Sequence, residues 1–389
     1  MISKKLPQLQ NDVDLDGKCI LLRVDFNVPC NGTKIADDFR ILKTLPLIRN
    51  LRERGAGLIL LSHLTERKNH RSFKPIKAAL ERVCKMPLIF ARTFQEAARH
   101  RFRENSAAIM LFENLRAFPG EEKNDRAFAK RLASLGDLYI NEDFSQSHRP
   151  YASIVTLPKL LPSFAGPLFI RETKKLGEAF YPSHPFLFIL GGVKFKTKGG
   201  ALGRFLKKAD TVFLGGEIAN TFLYARGYEI GKSGVAKEEV HSVRRKFLSS
   251  HKLLLPEDVR IQTKAVKKVS ALGKNDQIRD IGPETIKNLE DQVKKARMVL
   301  WNGPLGFVEE GFHVGTARLI RALARSSAKV IVGGGDTVAV VRRLGFENKF
   351  YHVSTGGGAM LEFLARSTLP GIDALIPLET KSLTGLTKK

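Results

Sequence analysis

Residues 329–337 read Lys-Val-Ile-Val-Gly-Gly-Gly-Asp-Thr. Val330, Ile331 and Val332 form the short β-branched run that buried strands use. Three glycines follow at once, then an acid and a hydroxyl, Asp336 and Thr337, and residues 338–344 have the apolar content of a helix. A strand that ends in glycines and turns into a helix gathers backbone N–H groups at a partly positive helix start. Phosphate oxygens can touch such a backbone because glycine carries no side chain. Asp336 would suit a magnesium ion riding on that phosphate. A triple glycine also serves as a plain tight turn, so its weight comes from repetition of the design elsewhere in the chain.

Short apolar runs do recur, at 20–24, 58–61, 88–90, 109–112 and 138–140, and again at 186–190, 212–214, 298–301, 330–332 and 351–353. Between them lie stretches with helical spacing, such as 38–52, 74–85 and 125–135. This alternation predicts the α/β class: parallel sheets with helices on both faces, whose ligands bind beyond the carboxyl ends of the strands. Two series predict two Rossmann-like lobes. The break falls near 157–167, which holds Pro158, Pro162, Gly166 and Pro167, and residues 171–180 read as a hinge helix.

The totals agree with such a chain. Its 389 residues favour two domains over one, and 43% hydrophobic with 27% charged residues is an ordinary globular composition. No apolar run approaches membrane-spanning length, and residues 1–10 lack the apolar centre of a secretory signal. Cys19, Cys30 and Cys84 stand at no metal-ligand spacing and fit reduced thiols in a cytoplasm. The net charge of +26 admits a nucleic-acid partner, an enzyme for phosphorylated small molecules, or simply Lys and Arg spread over solvated faces. No nucleic-acid motif organises the basic residues, which favours the last.

The first lobe's strand ends gather cations and hydrogen-bonding groups. Arg23-Val-Asp25-Phe26-Asn27-Val-Pro29 closes the first run, Asp37-Asp38-Phe39-Arg40 opens the next helix, and Ser62-His63-Leu64 ends the second run. Glu113-Asn114-Leu115-Arg116 and His148-Arg149 end two more. Guanidinium forks match carboxylate and phosphate oxygens in pairs, so this set suits a small phosphorylated acid. Singly, His63 reads equally as a core histidine, and Arg116 or Arg149 as a surface ion pair.

The second lobe's strand ends carry glycine and lysine instead: Gly191-Gly192-Val193-Lys194 with Lys198 beyond, Gly215-Gly216, Asn302-Gly303-Pro304-Leu305-Gly306 with Glu309 beyond, and Ser354-Thr355-Gly356-Gly357-Gly358. Lys194 and Lys198 share a face at a spacing of four, and two ammonium groups side by side need an anion between them, which a triphosphate supplies. Gly231-Lys232-Ser233 mimics the end of a phosphate-binding P-loop, but Arg226 stands where its first glycine belongs. No GxGxxG fingerprint is present, which disfavours a dinucleotide dehydrogenase.

With these pieces in this order the chain resembles the phosphoglycerate kinase family, from about Val13 to Leu375. The resemblance rests on RVDFNVP at 23–29, DDFR at 37–40, SHL at 62–64, FENLRAFPGEEKND at 112–125 and HR at 148–149. Further pieces are GG-x-K-x3-K at 191–198, WNGPLG at 301–306, GGGDT at 333–337 and STGGGA at 354–359. It implies reversible phosphoryl transfer from 1,3-bisphosphoglycerate to Mg-ADP, giving 3-phosphoglycerate and ATP, in a cytoplasmic monomer without membrane or nucleic-acid partner. It also implies a phosphoglycerate-binding lobe at 1–165, a hinge at 166–182, a nucleotide lobe at 183–365 and a tail, 366–389, returning to the first lobe.

Carried onto matching positions, Asp25, Phe26, Asn27, Arg40, His63, Arg116 and Arg149 would bind the phosphoglycerate. Lys198, Glu309, Gly333, Gly334, Gly335, Asp336 and Thr337 would hold the nucleotide, Glu309 at the ribose and Asp336 at the magnesium. Arg40, Lys194, Lys198 and the backbone at Gly334 would stabilise the moving phosphoryl group. The sequence departs from the family's pattern at Thr65-Glu66-Arg67 for Gly-Arg-Pro, Thr197 for an aspartate, Ser145-Gln146-Ser147 for a Gly-containing turn, and Ile278-Arg279 for Gly-Leu. An acid at 66 repels a phosphorylated substrate, and the alternative to an active kinase is a weakened homologue that binds RNA or another polyanion. Glu66→Arg is expected to lower KM for 3-phosphoglycerate in a coupled assay, and an unchanged KM would place that loop elsewhere.

Overall fold

Continuous apolar runs are stable as strands where helices cover both faces of a sheet, because no strand side chain then meets water. A computed structural model of the chain describes residues 6–65, 72–101, 109–193 and 195–376 and has this arrangement twice. Its contacts divide it into two units, one running up to Lys174 and resuming at Thr368, the other Lys175–Ser367. The division falls inside the helix Pro167–Gly177.

In the first unit β1 (Cys19–Arg23), β2 (Gly57–Leu61), β3 (Leu88–Ala91), β4 (Ile109–Phe112), β5 (Leu138–Asn141) and β6 (Ser163–Ala165) form one parallel sheet. Their order is β3-β4-β2-β1-β5-β6. Ile20 of β1 pairs with Leu58 on one side and Leu138 on the other. Leu22, Leu60 and Ile140 pack with Ile41, Ile48 and Leu51 of the helix Phe39–Glu53 in a closed core.

The second unit has β7 (Phe186–Leu190), β8 (Thr211–Leu214) and β9 (Leu253–Leu254), and then a small antiparallel sheet of β10 (Asp258–Ile261), β11 (Val266–Lys268) and β12 (Ile278–Ile281). It closes with β13 (Met298–Asn302), β14 (Lys329–Gly333) and β15 (His352–Val353). The six-stranded sheet is again parallel, in the order β9-β8-β7-β13-β14-β15. Trp301, fully buried, packs in its core with Ile189, Val332 and Ile320.

Both sheets grow from a first strand in one direction and later resume on its other side, between β1 and β5 and between β7 and β13. At such a reversal the flanking loops leave the strands' carboxyl ends in opposite directions and open a crevice there. Among the described residues no helix is long and apolar enough to cross a membrane.

Three features differ from the sequence reading. The bridging helix starts earlier, at Pro167, and its regular part ends at Gly177 before a 3-10 turn, Glu178–Phe180. Proline is tolerated at a helix start, where its missing N–H has no intrahelical role. The antiparallel sheet was not legible, because its strands are short and mixed with Asp, Arg and Lys. It is anchored by buried Asp258, which accepts from the backbone N–H groups of Glu284 and Thr285 at the start of the helix Pro283–Lys295. The last strand is shorter than its run, and Tyr351 instead lies under the ammonium groups of Lys175 and Lys329.

After the second unit the chain forms a helix, Pro370–Leu375, that packs in the first unit. Gly371 N–H donates to Ser147 O at 2.9 Å, and a Cβ on Gly371 would lie 2.8 Å from the Ser147 side chain. Only glycine fits there.

Glu142 sits just after β5, 3% exposed, and both its oxygens accept from Leu168 N–H at 3.1 Å. Burial pushes its carboxyl from 4.5 up to about 8, against the pull of the Leu168 and Phe169 amides. Between those values the folded chain holds a proton that the unfolded chain has released, so stability falls as pH rises through that window. Glu142→Gln stays neutral and is expected to flatten the fall in Tm and to melt above the parent at about pH 8.5. Parallel Tm–pH curves would reject a neutral Glu142.

Candidate active site

At the carboxyl end of β1 the chain does something costly: it buries a guanidinium. Arg23 is 1% exposed. Its Nη1 donates to Asp143 Oδ2 and to Val24 O, each at 2.7 Å, and its Nε donates to Ser153 Oγ at 3.1 Å. A cation is stable in such a place only when its charge and its donors are all matched. Ser153 also donates to Glu121 Oε1 at 2.6 Å, and its carbonyl accepts from Tyr139. Burial raises the carboxyls of Asp143 and Glu121, and Arg23 pulls both back.

Arg23 Nη2 lies 3.3 Å from His63 Nδ1, and since a guanidinium only donates, Nδ1 is the acceptor. The proton is then on Nε2, which is buried and has no hydrogen-bond partner among the described residues. Burial, followed by Arg23, Arg116 and Arg40, holds the imidazole's pKa well below 6.5. His63 is therefore a neutral ring offering one unused donor.

Around it the other residues assemble. Arg40 Nη1 donates to Asp25 Oδ2 at 2.9 Å and to Asn27 O at 3.4 Å, with its side chain 27% exposed. Asn27 exchanges hydrogen bonds with Thr65, through Nδ2 to Oγ1 at 3.0 Å and from Thr65 N–H to Oδ1 at 3.1 Å. Arg116 donates to Thr65 Oγ1 and to Gln146 Oε1. Asp25, Asn27, Arg40, His63 and Arg116 thus form one connected set. Arg149 is exposed and has no side-chain partner among the described residues. Phe26 is fully buried and its N–H is taken by Ser62 Oγ, so it supports the set from behind.

Asp25, His63 and Asp143 bring potential ligand atoms within 4.8 Å of one another. Arg23 and Arg40 already occupy the two carboxyl groups, so the cluster is a network of guanidinium–carboxyl pairs and not a metal centre. Sequence reasoning passed over Asp143, Ser145 and Thr65 as participants. The available signals were a charge, Arg23, ending an otherwise apolar strand, and the departures from the family's pattern at Thr65 and Ser145.

In the second unit the strand ends are bound to each other by backbone. Gly191 N–H donates to Asn302 O and Gly192 N–H to Pro304 O, so these amides are not free for a ligand. A Cβ on Gly191 or Gly303 would lie within 2.3 Å of the opposite strand's carbonyls, which requires glycine on both sides. Lys198, 8% exposed on the helix Phe195–Lys208, donates from Nζ to Gly191 O and reaches the space beside Gly192 and Gly303. Burial lowers its pKa to about 8, against the opposing pull of Asp336.

Asp336 lies in the first turn of the helix Gly335–Arg343, preceded by Gly334 at φ +96°. A Cβ on Gly335 would meet nothing within 4 Å. The first amides of that helix have no intrahelical acceptor. Thr337 Oγ1 behind them is buried and has no partner among the described residues. The ends of β7, β13 and β14 thereby converge on Lys198 and Asp336. Glu309 is exposed on the 3-10 turn Val308–Glu310 and is not part of this cluster. Lys194, Glu66, Arg67 and Lys68 lie outside the described residues.

A family model described as phosphoglycerate kinase matches residues 10–366. The phosphoglycerate kinase of Herpetosiphon aurantiacus is 40% identical over 388 residues, covering 95% of this chain and 98% of its own. That of Dictyoglomus turgidum is 38% identical over 384 residues, covering 94% and 97%. Among solved structures, phosphoglycerate kinase from Coxiella burnetii aligns with a TM-score of 0.79 at 34% identity, covering 95% of this chain and 99% of that one. The Pyrococcus horikoshii enzyme aligns with a TM-score of 0.86 at 27% identity, covering 95% and 98%.

Arg23→Met keeps the length of the side chain and leaves the buried Asp143 Oδ2 without its guanidinium partner. Denaturant titration is expected to show a loss of about 3–5 kcal/mol, largely recovered in the double variant Arg23→Met, Asp143→Leu. An unmoved midpoint in the single variant would show that the pair is not what holds this end of the sheet.

Proposed function

The chain belongs to the phosphoglycerate kinase family and is a phosphotransferase performing that family's glycolytic step, and we propose how its two units divide the work. The first unit takes the phosphoglycerate and the second the nucleotide. One observation carries this: both units place their unusual residues at the same topological position, but with opposite chemistry. Guanidinium and imidazole donors stand in the first, and glycine turns with a buried lysine in the second.

In the first unit Arg40, Arg116 and Arg149 supply forked donors to the substrate's carboxylate and phosphate oxygens. His63 Nε2–H adds a neutral donor, and Asp25 with Asn27 fixes the direction of Arg40. In the second unit the first turn of the helix Gly335–Arg343 receives phosphate oxygens on its unpaired amides. Lys198, with a pKa held to about 8, is drawn to full charge by a polyphosphate beside it.

The family works on a magnesium nucleotide. An exposed carboxylate beside a phosphate-binding helix start, with the unpartnered Thr337 hydroxyl close in sequence, fits a metal that prefers one carboxylate plus phosphate oxygens. Asp336 would hold that ion, which neutralises charge on the phosphates when bound. Glu309 is assigned to the ribose hydroxyls and Lys194 to the moving phosphoryl group. The three free thiols suit a reducing cytoplasm.

No general base is required. The attacking groups, a carboxylate in one direction and an ADP phosphate oxygen in the other, are already anionic near neutral pH. The barrier is mutual repulsion of anions and charge on the group in flight, which positioned cations and amides lower. In-line transfer needs both substrates together with water excluded, and we place the hinge for that motion within the helix Pro167–Gly177.

Arg40→Ala is expected to lower kcat/KM for 3-phosphoglycerate about 10²–10³-fold while KM for MgATP stays close to the parent's. A coupled assay of both substrates checks it. A loss expressed only in KM for MgATP would overturn the assignment of the units.

A further inference from the structure

Two ion pairs in the first unit share one hydroxyl. Arg40 is held by Asp25 at 2.9 Å and Arg23 by Asp143 at 2.7 Å. Between the two carboxylates stands Ser145, with Oγ 2.5 Å from Asp25 Oδ2 and 2.7 Å from Asp143 Oδ1. Both distances are those of short O–H···O hydrogen bonds to a charged group. A serine hydroxyl has one hydrogen, and two ionised carboxylates have none. One of the two contacts would then set lone pair against lone pair, unless a second proton lies in the chain of three oxygens. Ser145 belongs to the segment where this chain departs from its family's glycine-containing turn.

We propose that Ser145 is a positioning residue that holds one proton between Asp25 and Asp143 and so sets how tightly Asp25 grips Arg40. This rests on Arg40 as a phosphoglycerate ligand. Two guanidinium groups and two carboxylates balance, so the shared proton leaves one surplus positive charge in the network. Arg23 is sealed inside, and Arg40 is the partly exposed member, where an incoming anion would feel that surplus.

With the site empty the proton rests on Asp143, which donates to Ser145 Oγ while Ser145 donates to Asp25. Burial favours the neutral form of Asp143. When an anion meets Arg40 the two protons shift together: the Asp143 O–H bond breaks as a Ser145 O–H forms, and the old Ser145 O–H breaks as an Asp25 O–H forms. Atoms and charge balance, and Asp25 releases Arg40 to the substrate. At high pH the shared proton is lost, the Asp25–Arg40 pair stays closed, and the substrate must compete with it.

The other groups facing the chain are Arg23 from β1, His63 after β2, Tyr139 from β5 and Glu121 from the short helix Pro119–Glu122. His63 is held neutral, Tyr139 is pushed far above its usual range by burial, and Glu121 is raised by burial. None of them touches Ser145 Oγ, so a change at Ser145 separates its proton from theirs.

Full-length parent, Ser145→Ala and Ser145→Thr are compared for kcat, KM for 3-phosphoglycerate and KM for MgATP across a pH series. Each is first checked for an unchanged melting transition. Ser145→Ala is expected to raise KM for 3-phosphoglycerate about tenfold near neutral pH, with kcat and KM for MgATP within about twofold of the parent. Ser145→Thr, which keeps the hydroxyl, restores the parent value. The parent-to-alanine ratio of kcat/KM cancels the substrate's own ionisation, and it should narrow as pH rises. A ratio of one, or one that is flat with pH, would overturn the shared proton, as would a threonine variant no better than alanine. A parent without turnover would instead reject the phosphoglycerate reading on which the proposal stands.

Discussion

A parallel sheet covered on both faces leaves its strands nowhere to keep polar groups except at their ends, and this constraint shapes both halves of the chain. Along β7 all five side chains are buried, and along β1 only the first is not. The unusual residues therefore collect where the strands stop. Because each sheet reverses its order of growth at one place, two loops part there and leave room for a ligand. Arg23, Asp25 and Asp143 stand at that place in the first unit, and Gly191, Lys198 and Gly303 in the second.

The same position is filled by two different solutions. The first unit buries charge and holds it by carboxyl groups, with Arg23 against Asp143 and Arg40 against Asp25, so its donors are held in place before any substrate arrives. The second unit removes side chains, so that among the described residues backbone amides and Lys198 present the positive potential. A small anion with oxygens at both ends is gripped by forks. A polyphosphate lies more naturally along a glycine-lined turn, where backbone can approach it.

The large positive charge has a plain physical setting. Lys207 and Lys208, Arg244 to Lys246, Lys294 and Lys295, and Arg342 and Arg343 all fall in the last turns of their helices. There the partial negative charge of the helix end favours cations. These residues stabilise elements that the fold needs anyway.

Much was legible in the sequence. The strand runs, their two series and the glycine-rich ends follow from local pattern, because a buried parallel strand is apolar throughout and a phosphate-binding turn has few residues to choose from. Arg40, His63, Lys198 and Asp336 were legible for the same reason, as chemistry stranded at strand ends. The antiparallel sheet at β10–β12 was not, since its strands are short and half polar and are fixed by packing. Phe26 reads like its neighbours in sequence but faces the core, which only the fold decides. Thr65 and Ser145 stood out only as departures from the family's pattern, and Asp143 gave no local signal. Asp143 lies 120 positions from Arg23 and Thr65 lies 51 from Arg116, and only the strand order brings them together. Sequence alone determined which residue types stand at the ends of the strands. The tertiary structure decided which of them touch, and hence which charges are paired and that His63 Nε2 is among the donors with no partner among the described residues.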